Sequence, residues 1–137
     1  MSDKILVSAC LLGEPCRWHG RPVSFSAEVL EFIRACPCAE LIPVCPELLG
    51  GLPVPRPPCK RVGQRVFETC VDKSRRREVT GPERTAEFVA GARLVLDIAR
   101  QWGCRRAILC RYSPSCDPAG ITGRLLLENG IDVWDAF

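Results

Sequence analysis

Three cysteines constrain this chain most: Cys10, Cys45 and Cys116 each follow a short apolar run, and turn chemistry lies close by. The runs are Ile5-Leu6-Val7, Leu41-Ile42-Pro43-Val44 and Ala107-Ile108-Leu109. Short apolar runs bounded by turn residues read as buried strands. If these are parallel strands of one sheet, all three thiols reach its carboxyl edge, where open α/β sheets place their sites. Three convergent thiolates with no evident fourth describe a metal or cluster site with one open coordination position.

The 137 residues of the chain fit one core, so a single domain over residues 1–137 is expected. With 47% hydrophobic and 26% charged residues the chain is able to fold rather than stay disordered. No apolar stretch approaches the roughly 20 residues of a membrane span. The start, Met1-Ser2-Asp3-Lys4, leads straight into a strand without the apolar region of a signal peptide, and a cytoplasmic location is expected. In that reducing setting ten cysteines favour metal, cluster or catalytic use for some and burial for the rest. Cys70 and Cys104 read as small apolar fillers.

Strand and helix alternate along the chain. A Gly- and Pro-rich loop follows the first strand, and Ser26 can cap a helix whose apolar face is Val29, Leu30, Phe32 and Ile33. That helix ends near Cys36-Pro37-Cys38. Residues 50–60, dense in proline, cannot be helix or central strand and suit a stiff pocket wall. Arg65 to Val71 and Glu78 to Thr80 read as a hairpin around the basic turn Lys73 to Arg77. The longest helix is predicted from about Pro82 to Trp102, capped by Thr80 or Gly81, with Phe88, Ala92, Val95, Ala99 and Trp102 facing a sheet. A third strand, a loop holding Cys116, a helix near Thr122 to Glu128 and a strand at Ile131 to Trp134 complete the pattern. The fold class is therefore α/β, a single Rossmann-like domain with a mainly parallel sheet and a small β-hairpin insertion.

The segments Val7-Ser8-Ala9-Cys10-Leu11-Leu12-Gly13, Val44-Cys45-Pro46-Glu47-Leu48-Leu49-Gly50-Gly51-Leu52-Pro53 with Pro55-Arg56-Pro57-Pro58, and Ser113-Pro114-Ser115-Cys116 together resemble the thiouracil desulfidase family. The resemblance runs in order and spacing from Lys4 to about Val133. It implies a Rossmann-like fold and a 4Fe-4S cluster held by Cys10, Cys45 and Cys116. Such a cluster leaves one iron free to bind the sulfur of a thiocarbonyl compound such as thiouracil, which water replaces without net redox change. Glu47 is the candidate base for that water. Ser113 is the preferred partner for water or substrate, with Ser115 the alternative; both also suit bracing of the turn at Pro114. The implied substrate is a small thiolated pyrimidine or thiolated nucleoside, with a thiolated RNA as a further candidate.

The chain departs from the family in the third motif. Asp117 stands where glycine is usual, the following loop is short, and Cys110 replaces a common lysine, removing a positive contact to substrate. The carboxylate is expected to make the cluster site more negative. Cys16 is a candidate pocket thiol outside the ligand set. Two rival readings remain at this point: a zinc-binding structural module on Cys36, Cys38, Cys45 and Cys59, and a nucleic-acid-binding protein built on the basic turn and the net charge of +3. His19, the only histidine, reads as structural.

Cys36 and Cys38 flank one proline, and a disulfide between them would be a strained ring outside ordinary geometry. Replacing both with serine should leave the iron content of the reconstituted protein unchanged. Loss of iron with the fold intact would move the ligand set to these residues.

Overall fold

The computed structural model describes residues 3–137. Four parallel strands, β1 (Lys4–Ser8), β2 (Glu40–Val44), β6 (Arg106–Cys110) and β7 (Asp132–Ala136), form a sheet in the order β2-β1-β6-β7. Ile5, Leu6 and Val7 on the central strand and Ala107 and Leu109 on β6 have no exposed surface. That is the signature of parallel strands covered on both faces. β2 lies at the edge, which accommodates Pro43, a residue with no ladder donor.

Between the strands run α1 (Ala27–Ala35), α3 (Thr85–Trp102) and α4 (Ile121–Glu128). The Ser26 hydroxyl accepts the Val29 N–H at 3.3 Å, capping α1 as its sequence predicts. Right-handed crossovers put α1 on one face and α3 and α4, which touch each other, on the opposite one. Phe88, Ala92, Val95 and Ala99 are buried along α3. Trp102 is not: it is 45% exposed beyond the sheet, with Lys4 Nζ 4.9 Å from its ring centre.

The insertion is larger than a hairpin. Strands β3 (Cys59–Val62), β4 (Arg65–Asp72) and β5 (Arg77–Glu83) form an antiparallel sheet in that order. β3 begins where the proline run ends, and it is an edge strand, so the prolines before it limit only its start. β5 runs through Thr80, Gly81 and Pro82, the segment read as the α3 cap. Pairing of Thr80 with Thr69 and of Glu83 with Phe67 across a bulge holds it extended, and α3 begins at Thr85. Thr85 Oγ1 accepts the Val66 N–H at 2.9 Å, tying the start of the helix to β4. Val66, Phe88, Ala92, Leu52 and Ile121 form the apolar contact between this sheet and α3 and α4. Past the bulge β4 leaves that contact, and Cys70 is exposed rather than a core filler; Cys104 is buried.

A one-turn helix, α2 (Pro46–Leu49), lies against α3 backbone to backbone. A Cβ on Gly91 would overlap the Pro46 carbonyl, and one on Gly50 would overlap the Glu87 carbonyl. In an exposed helix Gly→Ala gains up to about 1 kcal/mol. Here the overlap involves backbone that cannot rotate away, so Gly91→Ala should lower stability by about 1–3 kcal/mol. Urea midpoints would check this; a stabilised variant would show that α2 is not held this way.

Candidate functional site

Every thiol of interest leaves the carboxyl edge of the parallel sheet. Cys10 lies in a 3-10 turn, Ala9–Leu12, directly after β1, closed by Gly13 at φ 89°. Cys45 joins β2 to α2, and Cys116 lies in the turn between β6 and α4. The order β2-β1-β6-β7 reverses direction between β1 and β6, the place where such sheets open a crevice. A cavity of about 280 Å³ opens there, and Cys10, Cys45 and Cys116 line it together. Cys16, Cys59 and Cys110 line it too, so six thiols share one space.

The thiols interact. Hydrogen bonds from Cys110 and Cys16, reinforced by the Arg17 guanidinium, draw Cys10 far below an ordinary thiol. Cys16 also lowers Cys45, to about 7, although burial opposes it. Burial pushes Cys116 up to about 12, with the Ser8 hydroxyl partly offsetting it. Beside a Cys10 thiolate, Cys16 and Cys110 are raised and act as its donors. Ser8, fully buried, also accepts the Cys110 N–H at 2.9 Å and so links the ends of β1 and β6.

Glu47, at the second position of α2, faces the same cavity and pairs with Arg56. Arg56 is buried, and both of its terminal nitrogens are engaged. It donates to the Cys16 carbonyl at 2.9 Å and the Pro53 carbonyl at 3.1 Å, and its own N–H reaches the Trp18 carbonyl at 2.7 Å. One guanidinium thus joins α2, the 50–58 loop and the loop after β1. Burial raises the Glu47 carboxyl above its ordinary range even though Arg56 pulls it back.

The two serines part company. Ser113 lines the cavity, and its Oγ accepts the N–H groups of Ser115 at 3.2 Å and Cys116 at 3.1 Å. Its hydroxyl proton is left for another partner. Ser115 has no exposed surface, and its hydroxyl is bonded to Thr122 Oγ1 at 2.8 Å, behind the turn. Asp117 turns away from the thiols: its carboxylate accepts the N–H groups of Tyr112 and Ala119 and does not line the cavity. The added negative charge expected beside Cys116 is therefore spent on closing the short loop.

Among the described residues, no set of three His, Cys, Asp or Glu side chains closes around a single metal-ion position. Ligands of one zinc ion crowd around bonds of about 2.3 Å, whereas ligands of a cluster bind different irons and stand further apart. The donor set and the cavity suit the second arrangement. The zinc module fails on topology, because Cys36 and Cys38 precede β2 and Cys45 follows it, at opposite ends of that strand. The basic turn is the exposed tip of β4 and β5, closed by Asp72 Oδ1, which accepts the Ser74 N–H at 3.0 Å.

The 2-thiouracil desulfurase family model matches residues 5–136. The chain belongs to the 2-thiouracil desulfurase family. A protein titled uncharacterized protein YbbK, of Bacillus subtilis (strain 168), is 30% identical over 112 residues, covering 82% of this chain and 72% of that protein. A solved structure titled [4Fe-4S]-dependent thiouracil desulfidase TudS superposes with a TM-score of 0.78 at 36% identity, covering 98% of this chain and 91% of the other. The mixed α/β architecture is thus shared with that protein over nearly all its length.

Ser8, Arg17 and Arg56 are site residues with no role in the sequence reading, although Ser8 and Arg56 stand in its motifs; Cys110 entered there only as the loss of a lysine. For Arg56 a signal was present: a cation flanked by prolines, nine residues after a candidate acid. Arg56→Ala leaves a buried carboxylate unpaired and should cost about 3–5 kcal/mol. Replacing Arg56 and Glu47 together by methionine should recover most of that loss. Chemical denaturation of the three proteins would check it; a single-variant loss below about 1 kcal/mol would show that the pair does not brace the site.

Proposed function

We propose that this protein replaces the sulfur of a thiocarbonyl by oxygen from water, with a thiolated pyrimidine as substrate and a 4Fe-4S cluster on Cys10, Cys45 and Cys116. The observation that carries the reading is one cavity lined by these three thiols, Glu47 and Ser113. Family membership and the likeness to a [4Fe-4S]-dependent thiouracil desulfidase support it. Bound through three thiolates, the cluster supplies one iron as a Lewis acid for soft sulfur.

Glu47 takes a proton from the attacking water. Arg56 fixes the orientation of its carboxylate, leaving the oxygen not held by the guanidinium to accept that proton. The Ser113 hydroxyl, pinned by two backbone N–H groups, donates its free proton to the substrate or to the departing sulfur. Ser115 holds the turn that presents Ser113 and Cys116. The balance is a thiocarbonyl and water giving a carbonyl and hydrogen sulfide, with no electrons transferred.

We read residues 1–137 as one functional domain, since Cys59 from the antiparallel sheet lines the same cavity as the thiols of the parallel one. Ten free cysteines suit the reducing cytoplasm. No helix among the described residues is long and apolar enough to cross a membrane.

Glu47→Gln keeps size and polarity but cannot accept a proton. It should retain iron and sulfide while slowing sulfide release from 2-thiouracil by about 100- to 10,000-fold. Alanine at Cys10, Cys45 or Cys116 should instead lose iron. Single-turnover rates beside iron and sulfide assays separate the two effects; an unchanged rate in Glu47→Gln would remove Glu47 from the mechanism.

A further inference from the structure

The cavity holds more thiols than the proposed cluster needs, and the surplus is not uniform. Cys16 sits on the loop after β1 between Cys10 and Cys45, with no cation on its sulfur; its carbonyl is held by Arg56. Cys110 ends β6 at the crevice between β1 and β6. Its backbone is pinned by Ser8, and its sulfur lies beside Cys10 and receives Arg17 Nη2 at 3.6 Å.

The arginines of the cavity differ in the same way. Arg56 pairs with Glu47, and Arg111 with Asp135 and Glu28. Among the described residues no carboxylate pairs with Arg17, and its buried Nε has no acceptor. Arg17 is half-buried, and a cation partly withdrawn from water is best held beside an anion or strong acceptors. Among the described residues the guanidinium instead faces sulfur: its Nη2 lies 3.6 Å from Cys110 Sγ, beside Cys10.

We infer that Cys110 is a fourth thiolate of this site, which occupies the iron left open by Cys10, Cys45 and Cys116 until a substrate sulfur displaces it. This rests on the proposed cluster. On exchange the iron bond to Cys110 breaks and one to the thiocarbonyl sulfur forms. The freed thiolate keeps its charge against Arg17 or takes a proton from solvent, and no electron moves. Such a cap makes substrate binding a competition, which weakens apparent affinity by the fraction of sites left uncapped. It also shields the exposed iron when no substrate is present.

The test is Mössbauer spectroscopy of the anaerobically reconstituted full chain, wild type against Cys110→Ser, Cys110→Ala and Cys16→Ser, with iron and sulfide assayed in each. Wild type and Cys16→Ser should show no distinct iron at rest, and saturating 2-thiouracil should make one iron in four distinct. Cys110→Ala should show that distinct iron without substrate, keep full iron content and bind 2-thiouracil about tenfold more tightly; Cys110→Ser should shift the same signal. A distinct iron in resting wild type, or one created by Cys16→Ser instead, would overturn the inference while leaving the cluster assignment standing. Loss of iron in the Cys110 variants would equally overturn a displaceable cap. Absence of iron and sulfide from wild type would sink the cluster reading and the cap with it, a result distinct from the others.

Discussion

The buried pair of Arg56 and Glu47 is the interaction on which the site depends. Neither the 50–58 loop nor residues 13–26 after the 3-10 turn form a helix or strand that would hold them against the sheet. Arg56 supplies what is missing, through hydrogen bonds to the Cys16 and Pro53 carbonyls and its ion pair with Glu47. A buried ion pair is weak evidence for stability, since desolvation can cancel the attraction. Its value here is positional. The same contact that aims the carboxylate also sets the wall carrying Cys16 and Trp18, so a change in one moves the other.

Topology accounts for the rest of the site. Parallel strands deliver their carboxyl ends to one edge, and the reversal of order between β1 and β6 leaves a gap that no crossover fills. Cys10, Cys45 and Cys116 come from three different strand ends, so no local segment can assemble them; the sheet must form first. α2, which carries Glu47, is too short to stand alone and is held by close backbone contact with α3 at Gly50 and Gly91. The antiparallel sheet reaches the cavity only through Cys59 and projects its basic tip away into solvent.

Much of this was legible along the chain, and the reasons for the rest are specific. Apolar runs ended by turn residues located β1, β2 and β6, because buried parallel strands are patterned locally. β3 escaped because four residues after a proline run carry no alternation strong enough to read, and its pairing partner lies across a turn. Thr80 to Glu83 read as a helix start because Pro82 favours one, yet cross-strand pairing with β4 outweighed that local preference. The cysteines that share the cavity were visible as residues but not as a set. Cys110 joins it through contacts 93 and 102 residues apart in the chain, to Arg17 and Ser8, and Cys16 through contacts 29 and 40 residues apart, to Cys45 and Arg56. Ser113 and Ser115 are near neighbours with the same chemistry, and only the fold separates a cavity hydroxyl from one locked to Thr122.

In the proposed reaction this edge of the sheet exchanges sulfur for water oxygen without redox change. The most direct measurement is anaerobic turnover of 2-thiouracil in oxygen-18 water, without added reductant, followed by mass analysis of the pyrimidine and assay of sulfide. Uracil carrying one oxygen-18 atom and an equal amount of sulfide are expected. Unlabelled product, or a requirement for reductant in proportion to product, would contradict it.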